Sequence, residues 1–133
     1  LLAFLDARIV PGGPFVLERI GAGPRVRAAP LVLTGEGKLD AQSLFGKGPV
    51  ALARAAKAEG KPVVAICGSW DPKLFGALRA AGITEVRALT DSVPREQAMR
   101  EAAELIAKAS EAAVRGWSVG RSPGGARRRG SGT

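Results

Sequence analysis

The sequence of 133 residues contains no histidine, no tyrosine and a single cysteine, Cys67. Without histidine, the chain has no histidine general base, no histidine metal ligand and no Ser-His-Asp triad of its own. A single cysteine excludes an internal disulfide and is typical of a reducing compartment, so we expect a cytoplasmic location. Cys67 lies in an apolar run at residues 63–67, which predicts a small buried side chain rather than a nucleophile.

Acidic residues are missing from the end of the chain, although the formal net charge is +8. Five arginines follow Val114, and removing them leaves 15 basic and 12 acidic residues, a net charge of +3. Residues 116–133 have little apolar periodicity and are predicted to form a disordered basic tail. No aromatic residue lies between Arg121 and Arg129, where four of these five arginines stand, so nucleic acid is not an expected partner. No apolar run approaches the roughly 18 residues of a membrane span, so no membrane partner is expected either.

Apolar runs typical of strands alternate with patterns typical of helices. Strands are predicted at residues 31–33, 62–67 and 83–89, with a short β-type run at 7–10. Helices are predicted at residues 15–20, 48–59, 73–81 and 94–115, and residues 21–30 form a loop or a weak helix. This alternation predicts an α/β fold over residues 1–115, with a partial parallel sheet of about three or four strands and flanking helices.

A polar loop is predicted directly after the strand at 31–33. Gly35 and Gly37 would let its backbone turn sharply and approach a ligand. A dinucleotide-binding fingerprint would need a third glycine where Asp40 stands, and a P-loop around Lys47 would need other residues on both sides, so both motifs are excluded. Gly68 and Ser69 end the next strand, and we expect them beside the first loop because parallel strands end at one edge of a sheet.

The loop side chains suggest phosphoryl transfer, although a tight connection with solvated charges remains an alternative. Glu36 and Asp40 could hold a divalent cation or accept a proton from a substrate hydroxyl. Lys47 could neutralise a phosphoryl group, and Gln42 and Ser43 could hydrogen-bond a polyol or a carboxylate. Gly68 and Ser69 could equally form a simple turn with a helix cap. Trp70 could be a ligand platform, but packing over the sheet edge is favoured.

Two segments resemble the family block of the bacterial-type (class I) glycerate kinases. They are Leu-Val-Leu-Thr-Gly-Glu-Gly-Lys-Leu-Asp-Ala-Gln-Ser-Leu-Phe-Gly-Lys at residues 31–47 and Lys-Pro-Val-Val-Ala-Ile-Cys-Gly-Ser at 61–69. The resemblance covers about residues 1–114 and corresponds to the C-terminal third of such an enzyme, beginning within a helix at residues 1–5. The fold it implies is a Rossmann-like half of a two-domain kinase.

The resemblance implies a transfer of phosphate from ATP, assisted by Mg²⁺, to D-glycerate in a cleft between two domains. It places Thr34, Gly35, Glu36, Gly37, Asp40, Gln42, Ser43 and Lys47 on one wall of that cleft, with Gly68 and Ser69 adjoining. Asp40 is then the expected acid near the substrate or Mg²⁺, Lys47 the phosphate-neutralising cation and Glu36 a further catalytic candidate. The missing N-terminal portion of the enzyme is an expected partner, and this chain alone is expected to have little or no kinase activity. A non-catalytic module that binds a small phosphorylated or carboxylate ligand is the alternative.

Overall fold

A computed structural model describes residues 8–120 of the chain. Within this range the strands β1 (Val32–Leu39), β2 (Val63–Trp70) and β3 (Glu85–Ala88) form one parallel sheet in the order β1-β2-β3. Helices α1 (Gly12–Arg19) and α2 (Ala22–Ala28) precede β1, and α3 (Gly48–Ala58) connects β1 to β2. Helix α4 (Phe75–Ala80) lies between β2 and β3, and α5 (Arg95–Arg100) and α6 (Ala102–Gly120) follow β3. The predicted α/β class with a parallel sheet is confirmed.

The two faces of the sheet are covered by different helices. On one face, Val63, Ala65 and Cys67 of β2 pack with apolar residues of α3 and with Leu78 of α4. On the other face, Val64 and Ile66 pack with residues of α5 and α6, including Ala98 and Ala113. Because residues 63–67 of β2 are buried on both faces, they form an uninterrupted apolar run rather than an alternating one.

Both long strands continue beyond the predicted boundaries. Residues 34–37 were predicted to form a loop, but they belong to β1, which pairs in register with β2 from Val32–Val63 to Leu39–Trp70. Gly68 and Ser69 were predicted to break the second strand, but β2 extends to Trp70. The prediction was wrong because glycines in the middle of an apolar pattern were interpreted as turn residues.

Two of these glycines are required by the close approach of β1 and β2. A Cβ at Gly35 would overlap the carbonyl oxygen of Ile66, and a Cβ at Gly68 would lie 2.5 Å from the carbonyl oxygen of Gly37. Neither glycine has a positive φ, so conformational freedom is not the reason for them. A Cβ at Gly37, in contrast, would have no heavy atom within 4 Å.

Several smaller predictions also need correction. Residues 8–10 form no strand, because a strand needs a hydrogen-bonded partner and none pairs with them in the described range. The last helix is interrupted at Glu101 and continues to Gly120, so residues 116–120 of the predicted disordered tail are helical. The predicted helix at residues 1–5 and the rest of the tail, 121–133, lie outside the described residues. Among residues 8–120, no helix is both long and apolar enough to cross a membrane.

The contrast between Gly35 and Gly37 is testable. We expect Gly35→Ala to lower the free energy of unfolding by about 1–3 kcal/mol, because the strands would have to move apart to accommodate the methyl group. Gly37→Ala serves as the matched control and should change it by no more than about 0.5 kcal/mol. Urea denaturation followed by circular dichroism measures both. Equal effects of the two substitutions would contradict the assigned strand pairing.

Candidate functional site

The main cleft of the described structure lies between the sheet and helices α5 and α6. Its volume is about 980 Å³. Residues of β1 and β2 form one wall, and Ala98, Ala102 and Ile106 contribute to the opposite wall. The cleft therefore opens on the face of the sheet opposite to α3.

Six of the ten predicted site residues line this cleft: Thr34, Gly35, Glu36, Gly37, Gly68 and Ser69. They reach it from the interior of paired strands, not from loops as predicted. The side-by-side placement of the two segments was predicted correctly, since Thr34 pairs with Ala65, Glu36 with Cys67 and Lys38 with Ser69 in the parallel register. The paired strands thus bring the two motif segments to one wall.

The other four predicted residues, Asp40, Gln42, Ser43 and Lys47, are not among those that line this cleft. They belong to a short 3₁₀ helix, Ala41–Phe45, and its two flanks. Asp40 is the N-cap of this helix, and its Oδ1 accepts a hydrogen bond from the backbone N–H of Gln42 at 3.0 Å. The Nζ of Lys47 lies 3.5 Å from Oε1 of Gln42. The expectation that all eight loop residues share one cleft wall is therefore corrected.

Ser43 connects the 3₁₀ helix to the cleft. Its side chain is fully buried, which is incompatible with the predicted direct contact to a ligand. Its hydroxyl accepts a hydrogen bond from the backbone N–H of Asp40 at 3.2 Å and donates one to Oε1 of Glu36. Ser43 thereby completes the capping box of the 3₁₀ helix and fixes one carboxylate oxygen of Glu36.

Glu36 is the one carboxylate among the residues that line the cleft. Its Oε1 is held by Ser43, and Oε2 has no hydrogen-bond partner within residues 8–120. The lining residues also include two basic residues that the sequence did not suggest, Lys38 and Arg95. Lys38 could have been found from the sequence, because it lies two residues after Glu36 in the same strand. Arg95 carried no such signal, since the folding of α5 onto the sheet brings it to the cleft.

The interpretations of Cys67 and Trp70 as packed residues are supported. The Cys67 side chain is 2% exposed and belongs to the core on the α3 face. Burial, followed by the nearby charges of Asp91 and Glu36, raises the pKa of the Cys67 thiol to about 12. Trp70 packs against the same core and contacts the ring of Phe75 edge-on, with the ring centroids 6.0 Å apart.

The described residues contain no cluster of three or more Cys, Asp or Glu side chains that could hold a metal ion alone. Magnesium is commonly bound by one or two carboxylates together with substrate phosphates and water. The free oxygen of Glu36 fits such a partial ligand set, whereas both oxygens of Asp40 face other groups, with Lys38 Nζ 4.0 Å from Oδ2. The candidate metal site at Asp40 is thus less well supported than one at Glu36.

Comparison with known proteins links the chain to a family. The model of the glycerate kinase family matches residues 1–118. A glycerate kinase from Halalkalibacterium halodurans is 38% identical over 123 residues, and one from Bacillus subtilis is 37% identical over 107 residues. A glycerate 2-kinase from Escherichia coli is 35% identical over 111 residues. These matches cover 88%, 80% and 83% of this chain but only 31%, 28% and 29% of the relatives' own length.

The role of Ser43 can be tested with its neighbour as the control. Ser43→Ala should lower the free energy of unfolding by about 1–3 kcal/mol, because it leaves the Asp40 N–H without its hydrogen-bond acceptor. Gln42→Ala changes an exposed side chain of the same 3₁₀ helix and should have an effect within about 0.5 kcal/mol. Thermal unfolding of both variants measures the difference. A neutral Ser43→Ala would contradict the network described here.

The raised pKa of Cys67 predicts a loss of stability at alkaline pH. Below pH 9.0, the ordinary pKa of the thiol, the group is protonated in both the folded and the unfolded chain. Between pH 9.0 and about 12, only the unfolded chain releases the proton, so the free energy of unfolding falls as the pH rises. Urea titrations from pH 8 to about pH 11 should show this fall in the parent chain and a shallower one in Cys67→Ala. Equal slopes in the two proteins would contradict the buried thiol.

Proposed function

The chain belongs to the glycerate kinase family, and we propose that it forms one wall of a site that transfers phosphate from ATP to D-glycerate. The observation that carries the proposal is the position of the family motif. Its paired segments, 34–37 and 68–69, line one cleft, and the lining residues include one acidic residue, Glu36, and two basic residues, Lys38 and Arg95. Phosphoryl transfer needs an acid near the attacking hydroxyl and positive charge around the phosphate.

Glu36 is the proposed catalytic carboxylate. It accepts the proton of the glycerate hydroxyl or binds Mg²⁺ through its free oxygen, while Ser43 holds its other oxygen in place. When bound, Mg²⁺ would neutralise charge on the phosphate oxygens. Asp40 supports this arrangement as the N-cap of the helix that carries Ser43. This proposal moves the principal acid from Asp40, which the sequence suggested, to Glu36.

The hydroxyl and backbone groups of this wall have a different proposed role, which is to bind and orient the substrate. Thr34 and Ser69 lie on neighbouring strands and both line the cleft. They offer hydrogen bonds to a substrate, and the absence of side chains at Gly35, Gly37 and Gly68 leaves the strand backbone accessible to it. Such groups orient the reactants, which supplies much of the rate enhancement in phosphoryl transfer.

The second candidate is a non-catalytic module that binds a phosphorylated or carboxylate ligand. Among residues 8–120 the cleft lining includes one carboxylate, which favours this candidate because transfer enzymes surround the moving phosphate from several sides. The chain spans 28–31% of the length of the relatives quoted above, so the remaining groups of a complete site would come from outside these residues.

A chimera separates the two candidates. In it, residues 8–120 of this chain replace the matching segment of the Halalkalibacterium halodurans glycerate kinase, and release of ADP is followed with ATP, Mg²⁺ and D-glycerate. We expect the chimera to turn over, and Glu36→Gln to lower kcat by about 10²–10⁴-fold because it removes the proposed proton acceptor or magnesium ligand.

The control for this prediction is Glu96→Gln, which changes an exposed carboxylate of α5 that does not line the cleft. It should leave kcat within about twofold of the parent chimera. A folded chimera that binds ATP or glycerate without turnover would favour the binding module. Full activity of Glu36→Gln would remove Glu36 from the proposed mechanism.

A further inference from the structure

We infer that the cleft seats a nucleoside polyphosphate, with the base against α6 and the phosphates between Lys38 and Arg95. This inference rests on the proposed function and deepens it, because it assigns the described wall to the phosphate donor rather than to glycerate. It also replaces Lys47, the cation that the sequence suggested, by two cations that the fold brings together.

The polar end of the cleft lies at the carboxyl ends of the strands. Lys38 and Ser69 are paired near the ends of β1 and β2, and Thr90 follows β3. Arg95, the first residue of α5, lines the same cleft. The carboxyl ends of parallel strands are the usual location of ligands in open α/β sheets.

The charge at this end is suited to an anion. Within residues 8–120, Arg95 forms no ion pair with a carboxylate, and Lys38 makes only a long contact of 4.0 Å with Asp40. The two cations face a single cleft carboxylate, Glu36. Arginine and lysine with unused hydrogen-bond donors are the side chains that commonly bind phosphate.

The opposite end of the cleft is apolar. Ala102, Ile106 and Ser110 follow one another at four-residue intervals along α6 and so form a single stripe about 12 Å long. Ser110 is its polar member, and the Ser110 hydroxyl donates a hydrogen bond to the backbone carbonyl of Ile106 at 2.8 Å. Leu33 and Ile66 of the strands also line the cleft, and the side chains of Ile106 and Leu33 are 46% and 37% exposed. An apolar wall of this kind stabilises a flat aromatic base by removing its faces from water.

The two ends of the cleft indicate that it binds the phosphate donor, a nucleoside polyphosphate, rather than the phosphate acceptor, glycerate. Every carbon of glycerate carries an oxygen, so this small acid would gain little from the apolar stripe. A nucleoside polyphosphate combines an apolar base with a polyanion and therefore matches both ends. The volume of about 980 Å³ lies at the upper end of the range for small-molecule sites and also suits the larger ligand.

The first test is a titration of the 133-residue chain with ADP, adenosine and D-glycerate, followed by NMR of backbone amides and methyl groups. We expect ADP to shift the signals of Ile66, Ala102 and Ile106 and to leave those of Phe45 and Lys47 unchanged. Adenosine should shift the same apolar signals more weakly, and glycerate should not shift them. Absence of ADP-induced shifts, or shifts centred on residues 40–47, would overturn the inference.

The second test uses matched variants. Arg95→Gln should weaken ADP binding about tenfold and leave adenosine binding unchanged, because one charge-assisted contact to phosphate is lost. Arg100→Gln, at the other end of α5 and outside the cleft lining, should change neither. Ala102→Phe should weaken both ligands at least tenfold by filling the seat of the base, whereas Ala107→Phe on the exposed side of α6 should not. Equal effects within either pair would contradict the assigned orientation.

The same variants in the chimera give an independent readout. Arg95→Gln should raise the KM for ATP about tenfold and leave the KM for glycerate unchanged. If ADP binds in the cleft but the chimera does not phosphorylate glycerate, the proposed function fails and this inference stands. If the chimera is active but Arg95→Gln and Ala102→Phe leave the KM for ATP unchanged, the inference fails and the proposed function stands.

Discussion

The structure depends on the close parallel pairing of β1 with β2. The two backbones meet where Gly35 faces the carbonyl of Ile66 and Gly68 faces the carbonyl of Gly37. Side chains at Gly35 or Gly68 would push the strands apart at the place where the motif residues need to be neighbours. The pairing therefore fixes the fold and the composition of the cleft wall at the same time.

A second constraint fixes the carboxylate of Glu36. The buried hydroxyl of Ser43 contacts Glu36, which lines the cleft, while the 3₁₀ helix that contains Ser43 begins at Asp40. A buried hydroxyl needs its partners, because an unpaired polar group in a protein interior costs free energy. The polar residues after β1 thus serve mainly to hold a carboxylate of β1, that of Glu36, in a defined position.

The sequence pattern and the structure place the motif residues differently. Acidic, basic and hydroxyl side chains that crowd into one short segment suggest a single loop that faces a ligand. In the structure the segment is divided, because β1 continues to Leu39. Glu36 and Lys38 are among the residues that line the cleft, while residues 40–47 form a capped turn outside its lining. Glycine was the misleading signal, since it marks turns as well as close contacts between strands.

The sequence alone was sufficient to predict the α/β class, the parallel sheet, the burial of Cys67 and the likeness to the glycerate kinases. These features are encoded locally, by apolar runs, helix-ending glycines such as Gly60, and a long motif. Only the tertiary structure decided where the strands end, which six motif residues share a cleft, and that Arg95 reaches them from a distant helix. The reason is physical: strand pairing and helix packing join residues far apart in the chain, and no local pattern records such contacts.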